Sequence, residues 1–135
     1  MKLTGKVVVV TGGARGIGAA LCARFAREGA GTVVAADIRP APGVVVCDVS
    51  READIVRLIE ETESRHGPID LFCSNAGIAV LDPDWDNPAS APDEGWAHSW
   101  AVNVMAHVRA ARHLVPRMGA RGGGYFLNTV SAAGL

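Results

Sequence analysis

The chain has 135 residues, the size of one ordinary domain and too small for two. About half of it is apolar (49%) and 20% is charged, which suits a packed core and argues against disorder. Thirteen basic and fourteen acidic residues leave a net charge of -1, so no basic face points to nucleic acid or an anionic membrane. The apolar run Val7 to Val10 is too short for a membrane span or a signal-peptide core. Three widely spaced cysteines, Cys22, Cys47 and Cys73, make neither a disulfide framework nor a zinc site. They suit a reduced, cytoplasmic setting.

In chain order, Lys6–Val10 reads as a strand buried on both faces. A glycine-rich turn follows from Gly12 to Gly18, and then Ile17, Leu21 and Phe25 mark a helix that stops at Gly29. Thr32–Ala36 is a second strand and Val44–Cys47 a third, after the Pro40-Ala41-Pro42-Gly43 turn. Ser50 is expected to cap a helix whose face carries Ile55, Leu58, Ile59 and Thr62 and which ends at Gly67-Pro68. Ile69–Cys73 is the fourth strand, and 80–94 is a Pro- and Asp-rich loop. A long helix is expected over His98–Met118, with Trp100, Val104, Val108 and Val115 at helical spacing, followed by a fifth strand, Tyr125–Val130. Strands and helices in this rhythm give an α/β fold with a parallel sheet and right-handed crossovers, in one domain.

Two features carry chemistry. The first is Thr11-Gly12-Gly13-Ala14-Arg15-Gly16-Ile17-Gly18, placed between a strand and a helix. Glycines allow a tight turn and close approach to a pyrophosphate, whose charge meets the N–H groups at the helix start. A plain strand-to-helix turn is the bland alternative. The second is Asp37, 19 residues after Gly18 at the end of the second strand. An acid there is placed for the hydroxyls of an adenosine ribose and repels a 2′-phosphate, which favours NAD over NADP. Arg39 nearby softens that preference, and a solvated strand-end Asp is the competing reading.

Thr11-Gly12-x-x-x-Gly16-Ile17-Gly18, Asp48-Val49, Asn75-Ala76-Gly77, Asn103 and Ser131 together resemble the short-chain dehydrogenase/reductase family, in order and over the whole chain. The resemblance implies a Rossmann-type doubly wound sheet of strand order 3-2-1-4-5 and hydride transfer between a nicotinamide and an alcohol or ketone. It implies that Gly12, Arg15, Gly16, Ile17, Gly18, Asp37, Asp48, Val49, Asn75, Ala76 and Gly77 hold the cofactor. It also implies that Asp48 binds the adenine, that Asn103 supports a proton relay, and that Ser131 binds the reacting oxygen. Each has a plainer reading: Asp48 as a helix-start acid, Asn75-Ala76-Gly77 as a turn, Asn103 as a solvent-facing helix residue. Cys73-Ser74 stands where relatives often carry another Asn, so one stabilising amide is expected to be missing. The long helix contributes to a subunit interface in the family, which implies a homo-oligomer.

The family's base is a Tyr followed four residues later by a Lys, a short distance beyond the Ser. The only tyrosine here is Tyr125, ahead of Ser131, and the only lysines are Lys2 and Lys6. The expectation is therefore an amino-terminal half-domain, incomplete after its fifth strand and inert alone. A non-catalytic NAD-binding sensor or partner module is the alternative. Asp82, Asp84, Asp86 and Asp93 superficially suggest a calcium loop, but Asn87 stands where glycine is required. No metal site is expected, and His66, His98, His107 and His113 are expected on helix surfaces.

Overall fold

In the computed structural model, which describes residues 1–79, 84, 86, 87 and 90–131, five parallel strands lie in the order β3-β2-β1-β4-β5. They are β1 (Val7–Thr11), β2 (Thr32–Asp37), β3 (Val44–Val46), β4 (Leu71–Ser74) and β5 (Tyr125–Asn128). The helices are α1 (Gly16–Arg27), α2 (Glu52–His66), α3 (Asp93–Trp100) and α4 (Ala106–Ala120), with a π-helical turn, Ala101–Met105, joining the last two. This is the doubly wound sheet and strand order expected from the sequence.

The valines of β1 explain the layering. Successive strand residues point to opposite faces. Val7 and Val9 face the larger core with α2 and α4, while Val8 and Val10 face a smaller one with Leu21, Cys22 and Phe25 of α1. A central strand covered on both sides must be apolar at every position, and β1 is buried throughout.

The structure corrects several local expectations. Ser50 does not cap α2: Arg51 occupies that position without a side-chain cap. The Ser50 N–H and hydroxyl both donate to Asp48 Oδ1, at 2.9 and 2.7 Å, because the nearby carboxylate is the stronger acceptor. The long helix begins earlier, at Asp93, and contains the π turn. Its apolar stripe is also different. Trp100 (61% exposed), Val108 and Val115 face outward. Val102, Ala106, Ala110, Leu114 and Met118 face the core, where the two small alanines let the helix come close to its neighbours. Ile17 opens the stripe of α1 but is itself 67% exposed. Two histidines are not simply on the surface. His107 Nδ1 lies 2.7 Å from Ser74 Oγ, and His113 Nε2 lies 2.9 Å from Glu52 Oε1.

Of the calcium-like aspartates, Asp84 accepts the Asp86 N–H in a local turn and Asp93 opens α3, while Asp82 lies outside the described residues. Most of the remaining 80–94 loop lies outside them as well. Among the described residues, no cluster of three His, Cys, Asp or Glu side chains could hold a metal. No helix there is long and apolar enough to cross a membrane.

Glu63 ties α2 to α4 and to the start of β4. Its carboxylate accepts from Arg117 (2.9 Å), Arg121 (2.8 Å) and the Ile69 N–H (3.2 Å). Burial alone pushes the Glu63 carboxyl up, but these donors outweigh it and hold it below its usual value of 4.5. A carboxyl lowered on folding adds stability above its unfolded value, and that stability disappears as pH falls through the folded value. The unfolding free energy is therefore expected to drop on acidification below about pH 4.5. Urea titrations across that range should give a shallower drop for Glu63→Gln, and an identical drop would contradict the assignment.

Candidate active site

The carboxyl ends of β1 and β4 are joined through Thr11, which is buried. Its Oγ1 accepts from the N–H groups of Asn75 (3.0 Å) and Ala76 (3.2 Å) and donates to the Cys73 carbonyl (3.5 Å). Asn75 returns the connection, with Nδ2 donating to the Thr11 carbonyl at 3.1 Å. The glycine turn is pressed against this joint. A Cβ at Gly18 would stand 2.0 Å from the Gly12 carbonyl oxygen, and one at Gly12 would stand 2.9 Å from Ala76 Cα. Gly12 also has φ +68°, which side chains disfavour.

Gly16 is different: a Cβ there would meet nothing within 4 Å. The space above it belongs to a cavity of about 550 Å³ at the carboxyl edge of the sheet. The α1 terminus beside that cavity has no side-chain cap and no acid in its first turn, whereas α2 starts with Glu52 and Asp54 and α3 with Asp93 and Glu94. Its first N–H groups have no acceptor within the helix, and the helix dipole makes this end positive. An anionic group such as a pyrophosphate fits there.

Asp37 ends β2 on the other side of the turn. Its Oδ2 accepts from the Ala14 N–H (3.1 Å) and Oδ1 from the Arg39 N–H (3.0 Å). These bonds fix the carboxylate at the cavity wall and leave further lone pairs for hydroxyl donors. Asp48 is held at the next strand end, where its carboxylate accepts from Ser50 and its own N–H donates to Asp54 Oδ2.

All eleven residues expected to hold the cofactor line this one cavity: Gly12, Arg15, Gly16, Ile17, Gly18, Asp37, Asp48, Val49, Asn75, Ala76 and Gly77. Asn103 and Ser131 do not. Asn103 lies in the π turn, and its amide holds both ends of Ile78, accepting from the N–H (2.9 Å) and donating to the carbonyl (2.8 Å). It is therefore no idle solvent-facing Asn, since it braces the segment after β4. Ser131 is exposed just beyond β5, and the residues after it lie outside the described set. Thr129 lines the cavity instead, and its hydroxyl donates to Asn75 Oδ1 at 2.9 Å. Ile38, Cys47, Ile78, His98 and Val102 complete the wall without having been singled out. Ile38, Cys47, Ile78 and Val102 each stand next to a recognised motif residue, and His98 does not.

The Gly18–Gly12 crossing gives a direct test. Gly18→Ala forces the turn apart and should lower unfolding stability by about 1–3 kcal/mol, the usual range for overpacking. Chemical denaturation reads this, and unchanged stability would mean that the two backbones do not pass so closely.

Comparison with known proteins agrees with this geometry. Residues 6–135 match the family model described as short chain dehydrogenase. L-fucose dehydrogenase of Bos taurus is 35% identical over 127 residues, covering 87% of this chain and 46% of that protein. The chain spans about half the length of the curated relatives it matches. Among solved structures, the NADH complex of 3-ketoacyl-(acyl-carrier-protein) reductase from Brucella melitensis superposes with TM-score 0.83 and 29% identity, covering 96% of this chain and 58% of that one. L-sorbose reductase from Gluconobacter frateurii, complexed with NADPH and L-sorbose, gives 0.83 and 34%, covering 98% and 55%. The matched sequence, the sheet order and the glycine turn together establish that the chain belongs to the short-chain dehydrogenase family.

Proposed function

We propose that the chain is the cofactor-binding part of an NAD-dependent oxidoreductase acting on an alcohol or ketone. The observation that carries this reading is the single cavity in which the open α1 terminus, the glycine turn and Asp37 meet. The bound nicotinamide supplies a hydride acceptor or donor. The chain's own residues supply the binding. Backbone N–H groups from Gly16 onward face the pyrophosphate, Asp37 accepts from the adenosine ribose hydroxyls, and Asp48 with Val49 borders the adenine. Asn75, Ala76 and Gly77 form the floor. Asn103 fixes Ile78 and supports the relay of protons, and Ser131 donates to the reacting oxygen.

Asp37 favours NAD over NADP, because a 2′-phosphate would face a carboxylate across the cavity wall. The relatives do not make this choice, since one solved neighbour holds NADH and another NADPH. Tyr125, the only tyrosine in the sequence, starts β5 and lines a separate hollow with Lys6 and Asp70 at the amino edge of the sheet. No phenol of these 135 residues is thus placed to act as base at Ser131, and this favours dinucleotide binding without turnover by the chain alone. A homo-oligomer and a cytoplasmic setting belong to the same proposal. Support comes from the outward row of Trp96, Trp100, Val108 and Val115 and from three cysteines that form no disulfide. Sedimentation and cell fractionation read these two points, and a monomer or a secreted protein would remove them.

Calorimetric titration with NAD⁺ and NADP⁺ tests the main reading. NAD⁺ is expected to bind more tightly. Asp37→Ala should weaken NAD⁺ by about tenfold or more, the value of a hydrogen bond to a charged group. The same variant should narrow the gap to NADP⁺. Equal binding of both dinucleotides by the parent chain would defeat the preference, and absence of binding would defeat the reading.

A further inference from the structure

Ser74 closes β4 and is buried, and its Oγ lies 2.7 Å from Nδ1 of His107 on α4. The backbone at Ser74 belongs to the joint beneath the cavity. Its carbonyl accepts the Thr129 N–H at 3.1 Å, and the following residue, Asn75, is held by Thr129 Oγ1 and by Thr11. One helical turn before His107, Asn103 grips both ends of Ile78. The imidazole therefore sits between two arms of the site: the strand ends that carry Asn75, and the π turn that carries Asn103.

We propose that His107 is a positioning residue, whose bond to Ser74 sets the π turn and Asn103 against the carboxyl ends of β4 and β5. The Ser74 hydroxyl is short, and α4 supplies the longer partner, the His107 imidazole, from the other side. Burial pushes the His107 pKa down, opposed by a hydrogen bond to the Asn103 backbone, so the ring is neutral at ordinary pH. A neutral imidazole has one N–H and one lone pair. The serine hydroxyl both donates and accepts, so either tautomer completes the bond. A leucine of similar bulk would fill the space and leave the Ser74 hydroxyl without this partner, which separates positioning from packing.

The proposal rests on reading the cavity as a dinucleotide site, so its test has two readouts. One is the NADH dissociation constant. The other is hydrogen-exchange protection of the Ile78 amide, which donates to Asn103 Oδ1 and needs no cofactor. His107→Leu and Ser74→Ala should each weaken NADH binding about 5- to 30-fold, the factor expected when one buried polar group loses its partner. Each should also lower Ile78 protection. The double variant should be little worse than either single one, because both remove the same bond. His107→Asn, which keeps a polar atom at the Nδ1 position, should recover most of both signals. Ile78 protection unchanged in His107→Leu, or losses that add in the double variant, would overturn the proposal. If the parent chain binds no NADH, the dinucleotide reading fails, and Ile78 exchange still decides the role of His107.

Discussion

One buried hydroxyl organises the carboxyl edge of the sheet. Asn75 and Ala76 leave β4 with N–H groups facing the protein, and such groups are costly to bury without partners. Thr11 accepts both, and Asn75 returns a bond from its amide to the Thr11 carbonyl. That brings the exit of β1 against the exit of β4. The chain leaving β1 then has almost no room for side chains, and so Gly12 and Gly18 are glycines for steric reasons. Gly16 faces the cavity, where the free space belongs to whatever binds.

The same joint fixes the electrostatics. Because the turn after Thr11 is so tight, α1 begins at the cavity with its positive end open and no acid of its own. Asp37 stands on the neighbouring strand, held in place by the Ala14 and Arg39 N–H groups. A positive helix end and a fixed carboxylate at one cavity suit a ligand that carries both phosphate and hydroxyl groups. Neither feature alone separates a dinucleotide site from an ordinary loop. Their shared wall is what supports the proposed dinucleotide site.

Much of this was legible in the sequence because local chemistry fixed it. Four consecutive valines have no stable place except a central strand covered on both faces, and the glycine spacing dictated a turn too tight for anything else. The eleven residues expected to hold the cofactor fell together because each lies in a segment that leaves the carboxyl end of a strand, where parallel topology gathers them. The less legible features depend on tertiary contacts. The stripe Trp100, Val108 and Val115 has helical spacing, but so does the small-residue stripe Val102, Ala106, Ala110, and periodicity cannot decide which faces the core. Ser50 has the right residue type for a helix cap, yet a charged acceptor two residues away claims it. His107 showed nothing in the sequence, since its partner Ser74 is 33 residues away. Thr129 is likewise 54 residues from Asn75, and only their contact in the fold shows what it does.

The central claim is that the glycine turn, Asp37 and the end of β4 form one dinucleotide site. Titrating the ¹⁵N-labelled chain with NAD⁺ and following its amide resonances tests this most directly. The account predicts shifts concentrated at Gly12–Gly18, Asp37–Arg39, Asp48–Val49 and Asn75–Ile78, with ADP-ribose reproducing all but those nearest the nicotinamide. Shifts centred elsewhere, such as the hollow around Lys6, Asp70 and Tyr125, or no shifts at all, would contradict it.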